Sequence, residues 1–220
     1  MKIACLQFAP ELGDVDNNLS RADIILGTAN PADLEGLDLL VLPELAFTGM
    51  FFSLFLIDGT EGWSMKMRPV SCPQEPLEQC ATHAGPTDKR PPGYNFKSLH
   101  HIAPFLEFSD SGISSLWART TALKYDCSVV VGYPEKVDVT DQWPASPEYY
   151  NSALVVDSDG DPIANYRKSH LYHTDETWAL EGRDGFFEGE IPRVGYVAMG
   201  ICMDLKYVGD TTTSGAHGIF

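Results

Sequence analysis

The sequence is short of basic residues. Fifteen lysines and arginines face thirty-one aspartates and glutamates, a formal net charge of −16. That balance excludes nucleic acid and anionic membrane surfaces as partners. No apolar run is long enough to cross a bilayer. The opening segment Met1-Lys2-Ile3-Ala4-Cys5-Leu6-Gln7-Phe8 is soon broken by Pro10, which excludes a signal peptide. Neither a G-x-G-x-x-G fingerprint nor a G-x-x-x-x-G-K phosphate loop occurs, and there is no internal repeat. Cysteine is scarce and odd in number: Cys5, Cys72, Cys80, Cys127 and Cys202 share no repeated spacing and form no C-x-x-C pair. A zinc ribbon is therefore not expected. Free thiols in a reducing compartment are, which points to the cytoplasm, with the nucleus also open to such a protein.

What is present reads as an ordinary globular chain. Apolar residues make up 44% of the 220 and aromatics 11%, enough for a full core in one domain. Lys2 to Phe8 reads as a strand, and Asp14 to Ala29 as a helix with Leu19, Ala22, Ile25, Leu26 and Ala29 on one face. Asp16 or Asn17 caps it, and Pro31 follows its end. Leu37 to Leu42 is almost wholly apolar, the pattern of a strand buried on both faces. This β–α–β opening predicts an α/β fold. Residues 50–93 then break the pattern with a run rich in Pro, Gly, Cys and Thr.

Order resumes afterwards. Leu99 to Leu106 predicts a short helix interrupted by Pro104. Ser111 to Tyr125 predicts a longer one with Ile113, Leu116, Trp117, Thr120 and Leu123 inward. Cys127 to Gly132 reads as a strand, and Val137 to Tyr149 as a polar connection. Tyr150 to Val156 and Pro162 to Arg167 read as a hairpin turning at Asp157-Ser158-Asp159-Gly160. A last apolar strand leads through Met199-Gly200-Ile201 to Cys202.

Three residues stand directly after predicted strands: Glu44, Lys168 and Cys202. Strand ends far apart in sequence converge at one edge of a twisted sheet. Taken alone, Cys202 reads first as a buried structural thiol, the usual fate of a free cysteine, and Glu44 as a loop acid. Taken together, their chemistry is coherent. A thiol supplies a nucleophile for a carbonyl carbon, a carboxylate takes its proton and later activates water, and an ammonium faces the developing oxyanion. A helix starting after Cys202 would lower the pKa of the thiol.

These segments also carry a resemblance. Leu42-Pro43-Glu44-Leu45-Ala46-Phe47-Thr48-Gly49, Tyr166-Arg167-Lys168-Ser169-His170-Leu171 and Gly200-Ile201-Cys202-Met203-Asp204-Leu205 resemble, in order and spacing, the three signature segments of the nitrilase (carbon–nitrogen hydrolase) superfamily. The resemblance implies an α-β-β-α sandwich. It also implies hydrolysis of a non-peptide C–N bond, with Glu44 as general base, Lys168 steadying the tetrahedral intermediate and Cys202 as nucleophile. The superfamily's second glutamate matches Glu176, ahead of Gly182, with Glu181 the runner-up. Asp204 belongs with Glu176 among residues that bind substrate or support the site. No cofactor or metal is implied.

Within the superfamily, the segment Tyr166 to Trp178 and the run Tyr94-Asn95-Phe96-Lys97-Ser98-Leu99 are most similar to the protein N-terminal amidases. Those act on protein or peptide N-termini, converting Asn or Gln to Asp or Glu with release of ammonia, in the N-degron pathway. An acidic surface suits a substrate with a free α-ammonium. Oligomerisation is compatible with the resemblance. The alternatives are another small-amide hydrolase of the superfamily, a Cys–His hydrolase using His170 or His173, and a metal site at His170, His173 and Asp175.

The resemblance assigns residues 1–205 to one hydrolase domain and leaves 206–220 as an atypical C-terminal tail. The superfamily continues well past the nucleophile, so the sandwich is expected to be C-terminally incomplete. Deleting the insert joins Thr48-Gly49 to Tyr94, the continuation the superfamily would have. Codons for Gly49-Met50-Phe51 and for Lys206-Tyr207-Val208 both admit GTATGT, an intron donor signal. A further alternative is that the insert and the tail are translated intron sequence, in a truncated, inactive product of a mis-spliced gene.

Overall fold

The computed structural model describes residues 1–49, 56–57, 96–139, 146–210 and 217–219. Most of the insert, with Cys72 and Cys80, lies outside the described residues.

Strands β1 (Ile3–Cys5), β2 (Leu39–Val41) and β4 (Ser128–Val137) pair in parallel. The antiparallel strands β5 (Glu148–Val156) and β6 (Pro162–Arg167) complete a five-stranded sheet of order β1-β2-β4-β5-β6. A second sheet has the order β3-β9-β8-β7, from β3 (Leu56–Ile57), β7 (Phe187–Ile191), β8 (Gly195–Met199) and β9 (His217–Ile219). Part of the tail, expected to lack pattern, thus forms a strand beside β8.

The layers follow from alternation along the buried strands. Leu40, Leu42, Val129 and Val131 face helices α1 (Val15–Thr28) and α4 (Ile113–Tyr125). Leu39, Val41 and Val130 face the other way, onto Ile191, Val197 and Met199 of the second sheet. Helix layer, sheet and sheet thus stack in that order. Short α2 (Pro31–Leu34) links α1 to β2, and α3 (Leu99–Ile102) runs into a 3-10 turn at Ala103–Phe105 where Pro104 has no N–H to offer.

Three local expectations change. Asp14 holds the N-cap position of α1, so Asp16 and Asn17 lie inside the helix. Strand β4 runs on to Val137 and pairs with Glu148, so the polar connection is shorter than expected. Helix α4 is rotated from its predicted facing. Ser114, Ser115, Ala118, Thr121 and Ala122 are buried with Trp117, whereas Ile113, Leu116 and Leu123 are exposed. Small side chains let the helix lie close on β4. Trp117 anchors it, donating its indole N–H to Asp23 on α1 at 2.8 Å and packing edge-on to Phe47.

Among the described residues, no helix is long and apolar enough to cross a membrane.

Candidate active site

Glu44 follows β2 in a tight turn. Leu45 takes a left-handed φ of 46°, and Ala46 donates its N–H to Gly132 O at 3.0 Å. The turn lies so close to β4 that only glycine fits opposite. A Cβ on Gly132 would meet Pro43 O at 2.7 Å and Glu44 Cα at 2.8 Å. Glu44 is buried as a result.

Lys168 follows β6 at once, and its side chain is fully buried. Nζ lies 2.6 Å from Glu44 Oε1 and 2.7 Å from Asp175 Oδ2. Behind it, Gly182 donates its N–H to Lys168 O at 2.8 Å, in a space where a Cβ would strike the Arg167 carbonyl. Two carboxylates raise the pKa of the ammonium against the opposing effect of burial.

Asp175 is the acid that meets the lysine, and Glu176 is not. The 3-10 turn Asp175–Thr177 turns Asp175 inward and leaves Glu176 exposed. Glu181 is exposed as well. Of the two, the residue placed against the lysine is therefore Asp175, the neighbour of the Glu176 expected to bind substrate or support the site.

Cys202 ends the run after β8 with a left-handed φ of 49°, a sterically disfavoured conformation for a residue with a Cβ. It opens a 3-10 helix, Cys202–Asp210. Its thiol is pushed up to about 12, first by burial and then by the Glu44 carboxylate, with Lys168 pulling the other way. The lowered thiol pKa expected from a following helix is thus reversed: the sulfur keeps its proton at rest. Glu44 is itself raised, first by burial, with Lys168 opposing.

Asp204 reaches none of these groups and acts as a strut. Oδ2 accepts from Tyr166 O–H at 2.7 Å and Ile201 N–H at 2.9 Å. Oδ1 accepts from His170 N–H at 2.8 Å and lies 2.9 Å from His170 Nδ1. One buried carboxylate so ties the turn bearing Cys202 to the loop after Lys168. His170 stacks on Tyr207, with ring centroids 4.0 Å apart. No group of His, Cys, Asp and Glu able to hold a metal occurs among the described residues.

Sequence reasoning missed Asn151, on β5. Its Nδ2 donates to Glu44 Oε1 at 2.6 Å, and its main-chain O accepts from Lys168 N at 2.8 Å. The signal available was an amide at a buried position of a strand whose later half, Ala153 to Val156, is apolar. Glu44 Oε1 thus receives two donors, whereas the buried Oε2 has no hydrogen-bond partner among the described residues. Glu135, also missed, is buried on β4 and takes both Arg167 Nε and Nη2, at 2.9 and 2.8 Å. These bonds pull its carboxyl below the usual range against burial.

The sequence profile described as Carbon-nitrogen hydrolase matches residues 2–219. The chain belongs to the carbon–nitrogen hydrolase family. Among curated members of this family, it is similar to the protein N-terminal amidase of Schizosaccharomyces pombe, 28% identical over 94% of this chain and 56% of the relative. It is also similar to the 2-oxoglutaramate amidase of Bacillus subtilis, 25% identical over 99% of this chain and 62% of the relative. A crystal structure of an N-terminal amidase superposes with a TM-score of 0.64 at 26% identity, covering 93% of this chain and 40% of that one. The same amidase has been crystallised with Gln-Gly and Asn-Glu-Ala peptides. The chain therefore spans between 56 and 62% of the length of those two curated relatives.

Proposed function

We propose that this chain is an amidohydrolase that deamidates N-terminal Asn or Gln of proteins through a thioester on Cys202. The observation that carries the chemistry is the buried contact of Lys168 Nζ with Glu44 Oε1 at 2.6 Å, with Cys202 beside the same carboxylate. In this reading Glu44 Oε2 takes the thiol proton as Sγ attacks the side-chain carboxamide carbon. A raised thiol pKa makes that transfer part of the attack. Lys168, held by Asp175, faces the oxyanion. The tetrahedral adduct collapses as Glu44 returns the proton to the departing amine, which leaves as ammonia. Water then loses a proton to Glu44 and attacks the thioester carbonyl. The product acid departs and the thiol regains its proton. Asp or Glu is left at the N-terminus, the product that feeds the N-degron pathway. Asp204 supports Cys202 and the lysine loop without touching substrate.

The choice of peptide N-termini as substrate draws on the likeness to N-terminal amidases. A second reading, hydrolysis of a free small amide, is favoured by the likeness to 2-oxoglutaramate amidase over 99% of the chain. Ammonia release from peptides beginning with Asn or Gln, run against 2-oxoglutaramate and aliphatic amides, separates the two. Peptide deamidation with a new N-terminal acid is expected. Cleavage of the free amides alone rejects the N-terminal reading.

A further inference from the structure

The roles proposed above leave Asn151 without a task, although its side chain meets Glu44 from strand β5. The geometry points to Asn151 as the positioning residue that decides which oxygen of Glu44 acts as base. This inference rests on the reading of Glu44 as the base for Cys202.

Three observations carry it. Asn151 Nδ2 and Lys168 Nζ both donate to Oε1, each at 2.6 Å, so that oxygen is held by two donors. Oε2 of the same carboxylate is buried and has no hydrogen-bond partner among the described residues. An oxygen in that state is the more basic of the two, because nothing else shares its lone pairs. The third is that the residue reaches both members of the pair. Its main-chain O accepts from Lys168 N at 2.8 Å while its side chain holds Glu44. Asn151 and Lys168 are thus locked in register before their side chains meet at Oε1.

Alternatives at this position fail for stated reasons. A carboxamide is the isostere that offers Glu44 a donor without adding charge. An Asp would set a second carboxylate against Glu44 and Asp175. A Leu would fill the space and leave Oε1 with Lys168 alone. Either change makes the ionised form of Glu44 less stable, since its hydrogen bond to Asn151 favours the charged carboxylate.

The test reads the site without requiring turnover. Iodoacetamide labelling of the full chain is followed against pH, with the rate taken at Cys202 by peptide mass. In the unaltered chain the profile should show a lower limb, where Glu44 ionises and takes the thiol proton, and an upper limb, where the thiol ionises directly. Asn151→Leu should move the lower limb to higher pH by about one unit, the scale of one hydrogen bond to a charged group. Asn151→Asp should move it further in the same direction, and serves if the leucine variant does not fold. Glu44→Gln should abolish the lower limb. A limb that stays put in the folded Asn151 variants, while Glu44→Gln removes it, overturns the role of Asn151 and leaves the base standing. A limb that survives Glu44→Gln overturns both. A side chain that merely fills space would lower the melting temperature without moving the limb.

Discussion

Gly132 and Glu44 approach so closely that a Cβ on the glycine would lie 2.8 Å from the glutamate Cα. The other atoms in the way, Pro43 O and Leu45 N, are also backbone, so no side chain can swing aside. Gly132→Ala should therefore push the Glu44 turn off β4. Overpacking of this kind costs about 1–3 kcal/mol. Because a displacement near 1 Å suffices for a large rate effect, amidase activity should fall by about 100-fold. Urea unfolding and ammonia release measure the two effects separately.

Lys168→Met should be far more damaging to the fold. It leaves Glu44 and Asp175, both buried, without the ammonium between them. Breaking a buried ion pair by removing one partner costs about 3–5 kcal/mol. Ammonia release should be undetectable. Cys202→Ala also removes the reaction but leaves the ion pair intact, so its urea midpoint should stay much nearer that of the unaltered chain.

Asp175 and Glu176 are neighbours in sequence and should differ sharply in effect. Asp175→Asn removes a charge from Lys168 and should lower kcat by about 100-fold or more, as with other preorganised electrostatic groups. Glu176→Gln alters an exposed side chain and should change stability by less than about 0.5 kcal/mol and activity little. Equal losses from both variants would show that the lysine is held differently.

Stability should decline in alkali. The thiols of Cys5 and Cys127 are pushed up to about 11, and that of Cys202 to about 12, in each case first by burial, from an ordinary value near 9. Above pH 9 the unfolded chain gives up thiol protons that the folded chain keeps. The stabilisation is complete below that pH and is lost as pH rises toward 11 or 12. Lys168, with its raised pKa, adds a decline of the same sign at still higher pH. For the fully buried Cys127 the slope is up to about 1.4 kcal/mol per pH unit. Urea midpoints measured from pH 7 to 10.5 should fall, and Cys127→Ala should make the fall shallower.

The sequence made strand ends legible: Glu44 stands where the near-continuous apolar run of the buried parallel strand β2 stops, Lys168 where the hairpin strand β6 stops, and Cys202 just past the apolar end of β8. What decides between Asp175 and Glu176 is the rotation of a single 3-10 turn, about 120° per residue, and no apolar period marks that in a polar loop. The facing of α4 was hidden for the opposite reason. Its large apolar residues suggested the wrong side, because close approach to β4 rewards Ser, Ala and Thr there. Asn151 was overlooked beside Ser152 in a strand read for its apolar residues, although a buried amide requires a partner. The insert could be marked as out of pattern, but pattern alone says nothing of how β3 meets β9.

The protonated resting state of Cys202 has a consequence beyond the reaction. Thiolates attack peroxides and disulfides, so the rates of these oxidations follow the thiolate fraction. With its thiol held up to about 12, Cys202 presents little thiolate to them at neutral pH, though it is only partly buried. Oxidation at Cys202 should therefore be slower than at low-pKa redox cysteines, unless Glu44 takes the thiol proton as it does in the proposed reaction.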